Sequence, residues 1–325
     1  MKIGVTVRPD QPMTEAAAWA RRIEDLGFDG VWLADHYFHR DVSGALALMM
    51  AATRRVTLGT AVMSPFLRHP TLLASMAASL REIGDGRFVL GLGAGGYEFA
   101  SELGIEMKRP LRLTAEAVEI VRQLSRGTSD VAGETFSARG SRLRWDVQDG
   151  PLYLAARGPK MLELSGRVAD GVITHGIAPS HVQYVRDHVA TGAAGRTEGR
   201  TSICLMLDVE IGDDREAALA ALRPRCTTMA GGAYADELIE VYGLDVEEVR
   251  ALRATVRTGD RVAAAAQVTD AMAEAFGVAG PAGRVRDAVD ALAAAGVDEV
   301  ILSVGGATPD AVSTQLTQLA KAVLA

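Results

Sequence analysis

An aspartate–histidine pair, Asp35-His36, directly follows a short apolar run near the start of the chain. Because histidine titrates near neutral pH, His36 could donate a proton or a hydrogen bond to a reacting group. The same ring could instead be satisfied by Asp35 or by a backbone carbonyl, with no catalytic role. His39 stands three residues further on, but no clear carboxylate or cysteine partner occurs at metal-ligand spacing. We therefore expect no bound metal.

Two later segments could bind an anion. Ala156-Arg157-Gly158-Pro159 precedes a helical pattern, where backbone N–H groups and the helix dipole favour negative charge. Thr174-His175-Gly176 could add donors from the next strand end. An ordinary turn with Pro159 at the first helical position fits the pattern equally well. Arg68 and His69 could hold an acidic group of a substrate or cofactor, or could simply lie in an exposed loop.

Gly91, Gly93 and Gly96 match the pattern Gly-x-Gly-x-x-Gly, which taken alone suggests a dinucleotide-binding turn. That turn belongs at the start of its fold, whereas three strand–helix units precede this one. No second strand ending in a ribose-binding acid follows about twenty residues later. We therefore interpret these glycines as allowing close approach of the backbone to a cofactor ring or to a neighbouring strand.

The elements that must position these residues alternate regularly along the chain. Apolar runs rich in Val, Ile and Leu are followed by segments of helical period, and eight such repeats predict a parallel sheet. We predict an α/β fold, a (β/α)8 TIM barrel with helical insertions, whose functional residues gather where the strands end. The predicted strands lie near 2–8, 30–34, 56–62, 87–92, 151–155, 170–174, 203–210 and 298–303. The predicted helices include 14–26, 71–83, 114–125, 160–168, 181–189 and 284–294.

Two stretches exceed a minimal barrel. We expect one barrel domain over residues 1–325, with insertions at about 97–150 and 212–282, the first mostly polar beyond its helix and the second mostly helical. Neither insertion is expected to form an independent core.

Composition limits the possible function classes. The 325 residues carry a net charge of −7, which argues against general affinity for nucleic acid or anionic membranes. Two cysteines, Cys204 and Cys226, cannot form a disulfide framework, which favours a reducing compartment. The N-terminus lacks the pattern of a signal peptide, and no apolar run is long enough for a membrane span. These features together predict a cytoplasmic protein.

Three segments together resemble the luciferase-like monooxygenase superfamily. They are 27–36, containing Gly-Phe-Asp-Gly-Val-Trp…Asp-His; 58–70, from Leu-Gly-Thr-Ala-Val to Arg-His-Pro; and 154–172, with Ala-Ala-Arg-Gly-Pro-Lys…Ala-Asp-Gly-Val. Within that superfamily the chain is similar to coenzyme F420-dependent oxidoreductases of the methylenetetrahydromethanopterin reductase type. The likeness is weakest over 212–282.

The resemblance implies a (β/α)8 barrel with F420 or FMN at its C-terminal mouth and a non-prolyl cis peptide at Ala61–Val62. It implies that His36 acts on the substrate side as a hydrogen-bond donor or acid. The implied cofactor-binding residues are Asp35, Ala61, Val62, Met63, Ala94, Gly95, Ala156, Arg157, Gly158, Pro159, Thr174, His175 and Gly176, and the implied substrate-side residues are Thr6, Tyr37, Arg68, His69 and Gly96.

Some positions depart from the family patterns. Members acting on glucose 6-phosphate carry a glutamate and a tryptophan where this chain has Gly96 and Arg40, and methylenetetrahydromethanopterin reductases carry acids where it has Thr6 and Gly96. The resemblance implies an enzyme that moves a hydride between F420 and a small organic substrate. Two alternatives stay open: an FMN-dependent monooxygenase supplied by a partner flavin reductase, and a non-catalytic flavin- or deazaflavin-binding relative. A homodimer is expected from the likeness alone, and a flavin or F420 reductase is a candidate redox partner.

Overall fold

Eight parallel strands close into a barrel in the computed structural model, which describes residues 1–7, 12–36, 38–95, 103–197, 199–232 and 234–324. All eight predicted strands are present, with ends shifted by no more than two residues. The barrel strands are β1 (Lys2–Val7), β2 (Gly30–Leu33), β3 (Thr57–Thr60), β4 (Phe88–Leu92), β7 (Leu152–Ala155), β8 (Gly171–His175), β9 (Ser202–Ile211) and β11 (Glu299–Val304).

Every ladder between neighbouring barrel strands is parallel, and β1 pairs with both β2 and β11. The pairing of β8 with β9 completes the ring, which confirms the predicted (β/α)8 barrel. A further strand, β10 (Gly277–Gly280), pairs with the last residues of β9 beyond the point where β8 ends. Strand β10 thus pairs with the part of β9 that extends beyond β8. The sequence did not predict β10 as a strand.

Helices surround the barrel, and the six helices named from the sequence are confirmed. The helices in chain order are α1 (Ala16–Leu26), α2 (Val42–Ala52), α3 (Pro70–Gly84), α4 (Pro110–Ser125), α5 (Pro159–Val168), α6 (Pro179–Ala193), α7 (Arg215–Ala230), α8 (Asp236–Val241), α9 (Val246–Arg257), α10 (Arg261–Ala266), α11 (Asp270–Phe276), α12 (Ala282–Ala294) and α13 (Pro309–Val323).

Helix α3 shows how the local sequence sets these bounds. Pro70 occupies the first turn, where its missing N–H costs nothing, and the His69 ring accepts a hydrogen bond from the Thr71 backbone N–H at 3.3 Å. Leu73 is fully buried against the barrel. The helix ends where Asp85 adopts a left-handed conformation, a common way for a helix to stop.

The floor of the barrel interior is filled by one large side chain. Trp32 is completely buried, and its indole N–H donates to the Glu299 carboxylate at 2.9 Å. A Cβ on Gly4 or Gly59, on the two flanking strands, would lie within 2.9 Å of the Trp32 ring. Glycine at both positions therefore makes room for the indole, which stacks at a tilt against Tyr153.

The first extra stretch is more ordered than its polar composition indicated. Within the described part of 97–150, α4 is followed by an antiparallel hairpin of β5 (Thr128–Ala132) and β6 (Ser137–Arg142). The Glu116 carboxylate accepts hydrogen bonds from three successive backbone N–H groups of the connecting turn, 134–136. A carboxylate on α4 therefore fixes the hairpin to the helix.

The second extra stretch, 212–282, contains five helices followed by β10. Its apolar side chains form a hydrophobic cluster distinct from that of the barrel wall, around Leu222, Ile239, Leu252 and Phe276. The helices of this segment therefore pack around apolar side chains of their own. Among the residues that the structure describes, no helix is long and apolar enough to cross a membrane.

Candidate active site

The third barrel strand is distorted where it reaches the mouth. Gly59 pairs with Val89 and Met63 pairs with Leu92, so the third strand carries one residue more than the fourth over this stretch. The Thr60 hydroxyl takes over the missing ladder contacts, since it donates to the Gly91 carbonyl and accepts from the Gly91 N–H, both at 2.8 Å. Such a bulge at a barrel rim turns a strand's side chains in a new direction.

The peptide bond between Ala61 and Val62 lies inside this bulge and is cis, as the resemblance implied. Both residues are half-buried and pack against the side chains of the barrel interior. Met63 is buried and restores the pairing with β4. The Ser64 hydroxyl donates to the carbonyl of Ala94 at 2.8 Å, which ties the bulge to the segment after β4.

The glycines of β4 are explained by this close packing. A Cβ on Gly91 would lie 1.9 Å from the Thr60 carbonyl oxygen, and a Cβ on Gly93 would meet Val62 and Ala155 within 2.8 Å. The neighbouring strands alone thus require glycine at both positions. Gly95 has a φ of 90°, which favours glycine on conformational grounds. Gly96, the third glycine of the motif, lies outside the described residues.

Asp35 and Arg68 form an ion pair on the β2–β3 side of the mouth. Arg68 also contacts Asp41 at 3.0 Å, and Asp41 caps α2 by accepting from the Ser43 and Gly44 N–H groups. Burial raises the pKa of Asp35, against the opposing effect of Arg68, and the two carboxylates raise the pKa of Arg68 despite its burial. The guanidinium proposed for an acidic substrate group is thus engaged by two carboxylates of the chain itself.

His36 follows on the same side and is exposed at the end of β2. Its ring meets the ring of His39 edge to face, with centroids 5.8 Å apart. His69 instead caps α3 and stacks edge-on against Phe136. Tyr37, which the resemblance places beside the substrate, lies outside the described residues. Among the described residues, no group of three or more histidine, cysteine, aspartate or glutamate side chains is arranged to hold a metal ion.

Arg157 stands on the opposite side of the mouth, beyond the end of β7. It donates to the Met229 carbonyl at 3.3 Å and stacks over the Tyr234 ring, 5.6 Å from its centroid. No carboxylate among the described residues forms an ion pair with it. Arg157 is therefore a half-buried cation whose charge the described part of the chain does not balance.

The groups around Arg157 are neutral and incompletely satisfied. Burial lowers the pKa of His175 to about 3, and burial together with Arg157 lowers the pKa of His181 to about 4. The His181 Nδ1–H donates to the Gly176 carbonyl at 3.1 Å, which leaves Nε2 without a partner. The buried hydroxyl groups of Thr174 and Tyr242 also have no hydrogen-bond partner among the described residues.

Backbone geometry adds to the polar groups around Arg157. Helix α5 begins at Pro159, and a Cβ on Gly158 would meet nothing within 4 Å, so the backbone before the helix is open to a ligand. Buried Ala156 holds the strand end in place through its N–H, which donates to Ile173 at 3.0 Å. An unbalanced guanidinium, unpaired hydroxyl groups and a helix N-terminus fit the phosphate of a cofactor. These features favour the anion site over an ordinary turn.

The remaining wall of the mouth carries Thr6, which the resemblance implied, and further polar groups that neither the sequence patterns nor the resemblance indicated. Thr6 and Ser303 are paired across β1 and β11, and Ser303 is paired in turn with Asp208 on β9. Arg225 of α7 reaches this row and contacts both Asp208 and Glu210. No motif marks Asp208, Arg225 or Ser303, and the contact between Arg225 and Ser303 joins positions 78 residues apart.

Comparison with known proteins gives consistent matches along the chain. The model of a family described as luciferase-like monooxygenase matches residues 1–299. A 5,10-methylenetetrahydromethanopterin reductase of Archaeoglobus fulgidus is 32% identical, covering 93% of this chain and 92% of its own length. An F420-dependent glucose-6-phosphate dehydrogenase of Nakamurella multipartita is 32% identical over 65% of this chain and 67% of its own.

The structural comparison agrees. The solved structure of the coenzyme F420-dependent tetrahydromethanopterin reductase from Methanopyrus kandleri superposes with a TM-score of 0.86 at 25% identity. The superposition covers 99% of this chain and 98% of that one. The barrel and its extra segments therefore recur together in a protein of known structure.

Proposed function

The chain belongs to the luciferase-like monooxygenase family, and from that premise we propose that it binds coenzyme F420 at the barrel mouth and catalyses hydride transfer to or from a small organic substrate. Bound F420 supplies or accepts the hydride. The barrel residues fix its position, exclude water from one face and place the substrate against the other. Relatives whose names specify F420 support this choice of cofactor.

The observation that carries the proposal is the unbalanced cation at Arg157. A positive charge that is partly removed from water is stabilised by a nearby anion, and half-buried Arg157 has no carboxylate partner among the described residues. An anionic cofactor group beside Arg157, Gly158 and Thr174 would supply the missing charge and hydrogen-bond partners. The cofactor ring would then lie toward the Ala61–Val62 bulge across the mouth.

The β2–β3 side of the mouth, across from Arg157, would also serve the substrate. His36 is exposed at the end of β2, next to a carboxylate that is already paired. An imidazole in that position can donate to or accept from a substrate oxygen or nitrogen during hydride transfer. We propose His36 as the catalytic acid or base.

Titration of the purified protein with F420 and with FMN tests the cofactor assignment. We expect saturable quenching of F420 fluorescence and little response to FMN. Tight FMN binding without F420 binding would favour the FMN-dependent monooxygenase instead. Reduction or oxidation of F420 with any member of a panel of alcohols, sugar phosphates and methylene-bearing pterins would exclude the non-catalytic alternative.

The same titration with the Gly158→Leu variant tests whether the backbone at this position lies beside the cofactor. Gly158 has a φ of −76° and open space around a Cβ, so the fold should tolerate leucine there. If the Gly158 backbone approaches the cofactor, leucine should weaken F420 binding about tenfold or more through steric exclusion. Gly283→Leu is the matched control, because a Cβ there also meets nothing within 4 Å. Equal F420 affinity in both variants would remove Gly158 from the site.

A further inference from the structure

Three neighbouring strands bring polar side chains to one level of the barrel wall. Residues from six barrel strands, Cys204 and Ile301 among them, cluster together, which only the barrel interior allows. Because side chains alternate along a strand, Asp208 on β9 and Ser303 on β11 also point inward, nearer the mouth. Thr6 pairs with Ser303, and Ser303 with Asp208, so the three form a continuous row.

Arg225 of α7 binds side chains of this row. Its guanidinium contacts one Asp208 carboxylate oxygen at 2.6 Å, the Ser303 hydroxyl at 3.1 Å and Glu210 at 3.1 Å. Only 10% of the Arg225 side chain is exposed. Because Arg225 belongs to α7, the 212–282 segment itself orients the carboxylates at the mouth.

The carboxylates are not fully satisfied by Arg225. The second oxygen of Asp208, Oδ2, has no hydrogen-bond partner among the described residues, whereas the Glu210 oxygens meet Arg225 and Gln315. Asp208 and Glu210 bring two negative charges against the single positive charge of Arg225. The wall formed by β9 and β11 therefore carries one excess negative charge and one open acceptor.

We propose that Asp208 is a specificity-determining residue that accepts a hydrogen bond from a hydroxyl or amine group of the substrate and disfavours anionic substrates. The proposal rests on the proposed function, in that the mouth is where the substrate binds. The excess negative charge at the mouth would make this chain a poor binder of a phosphorylated sugar, which is an anion. A carboxylate held on one oxygen recognises a donor through the other, and excess negative charge repels carboxylates and phosphates.

A matched series of three-carbon secondary alcohols tests this charge preference. The probes are 1-amino-2-propanol, 1,2-propanediol and lactate, which share a skeleton and differ in charge. Binding would be measured by saturation-transfer NMR, with and without F420. We expect the amino alcohol to bind at least about tenfold more tightly than lactate, with the diol between them.

Asp208→Asn should reduce that tenfold preference to about twofold while leaving F420 fluorescence quenching unchanged. Asp213→Asn is the matched control, because Asp213 is exposed beyond the end of β9, and it should keep the wild-type preference. Lactate binding as tightly as the amino alcohol, an unchanged preference in Asp208→Asn, or binding of none of the three probes would each overturn the proposal. Failure of F420 to bind, with the preference intact in the F420-free protein, would instead refute the proposed function alone.

Discussion

The two sides of the barrel mouth use arginine in opposite ways. On the β2–β3 side, Arg68 is held between Asp35 and Asp41, and Asp41 also caps a helix. On the β7–β8 side, Arg157 contacts a carbonyl, a thioether and an aromatic ring, and no carboxylate among the described residues. A cation paired within the chain orders its surroundings, whereas a cation without such a partner is available to a ligand.

This contrast predicts a separation of effects. Changes to His36 or Arg68 on the paired side should alter turnover or stability and leave cofactor affinity intact. Changes on the unpaired side should alter cofactor affinity and leave the fold intact.

The largest expected effect is on turnover. His36→Ala should lower kcat about 100-fold or more with whichever substrate the panel identifies, because a general acid or base contributes on that scale. The affinity for F420 should stay within twofold of wild type. His39→Ala is the control, since His39 lies in the same loop and contacts the His36 ring. An equal loss in both variants would indicate disruption of the loop and remove His36 from catalysis.

Arg157→Met should weaken F420 binding about 30-fold, because it removes a charged hydrogen-bond donor while keeping most of the side-chain volume. The thermal midpoint should change little, since no carboxylate loses its partner. Fluorescence titration and a melting curve on the same sample measure both. Arg167→Met, on the exposed far end of α5, should leave both quantities unchanged. A large loss of stability with normal F420 affinity would assign Arg157 to the fold.

The sequence alone predicted the barrel because strand and helix patterns are local. Most barrel strands are rich in apolar residues, and each of the six named helices shows a helical period. The cis bond at Ala61–Val62 was different, since nothing in the residue types Ala and Val indicates it. It followed only from the resemblance, because the third strand's extra residue depends on pairing with β4.

The Asp208–Arg225 contact could not be predicted for the same reason. Asp208 and Arg225 are 17 residues apart, and their contact depends on how α7 crosses the end of β9. Arg122 shows a similar limit. It is largely buried and paired with Asp170, 48 residues away, and nothing in the residues around it indicates that partner. Charge pairing is decided by tertiary structure.

Arg68→Met tests the paired side directly. Asp35 would lose its counter-charge while its carboxylate stays buried, which should cost about 2 kcal/mol of unfolding free energy. Urea denaturation would measure this, with F420 affinity expected to change less than twofold. Arg112→Met is the control, because the ion pair of Arg112 with Glu134 is exposed on both sides. A loss of F420 affinity without loss of stability would make Arg68 a ligand-binding residue like Arg157.

The barrel floor adds a third case, a buried acid that has no cationic partner within ion-pair distance among the residues that the structure describes. Glu299 accepts from the Trp32 indole, and burial raises its pKa from 4.5 to about 6. Between pH 4.5 and 6 the unfolded chain therefore loses this proton before the folded one does. Ionisation of Glu299 in the folded protein lowers the free energy of unfolding. The contribution of Glu299 to stability therefore falls as pH rises through this window.

Glu299→Gln should consequently gain stability relative to wild type as pH rises, by about 2 kcal/mol between pH 4 and pH 7. The glutamine oxygen can still accept from Trp32, and the variant carries no charge to bury. Urea unfolding at each pH, followed by tryptophan fluorescence, measures the difference. Glu82→Gln, at an exposed position of α3, should show no such trend. The difference in unfolding free energy between Glu299→Gln and wild type could instead be constant across this pH range. Glu299 would then ionise as readily in the barrel as in water, and burying it without a cation would have no cost.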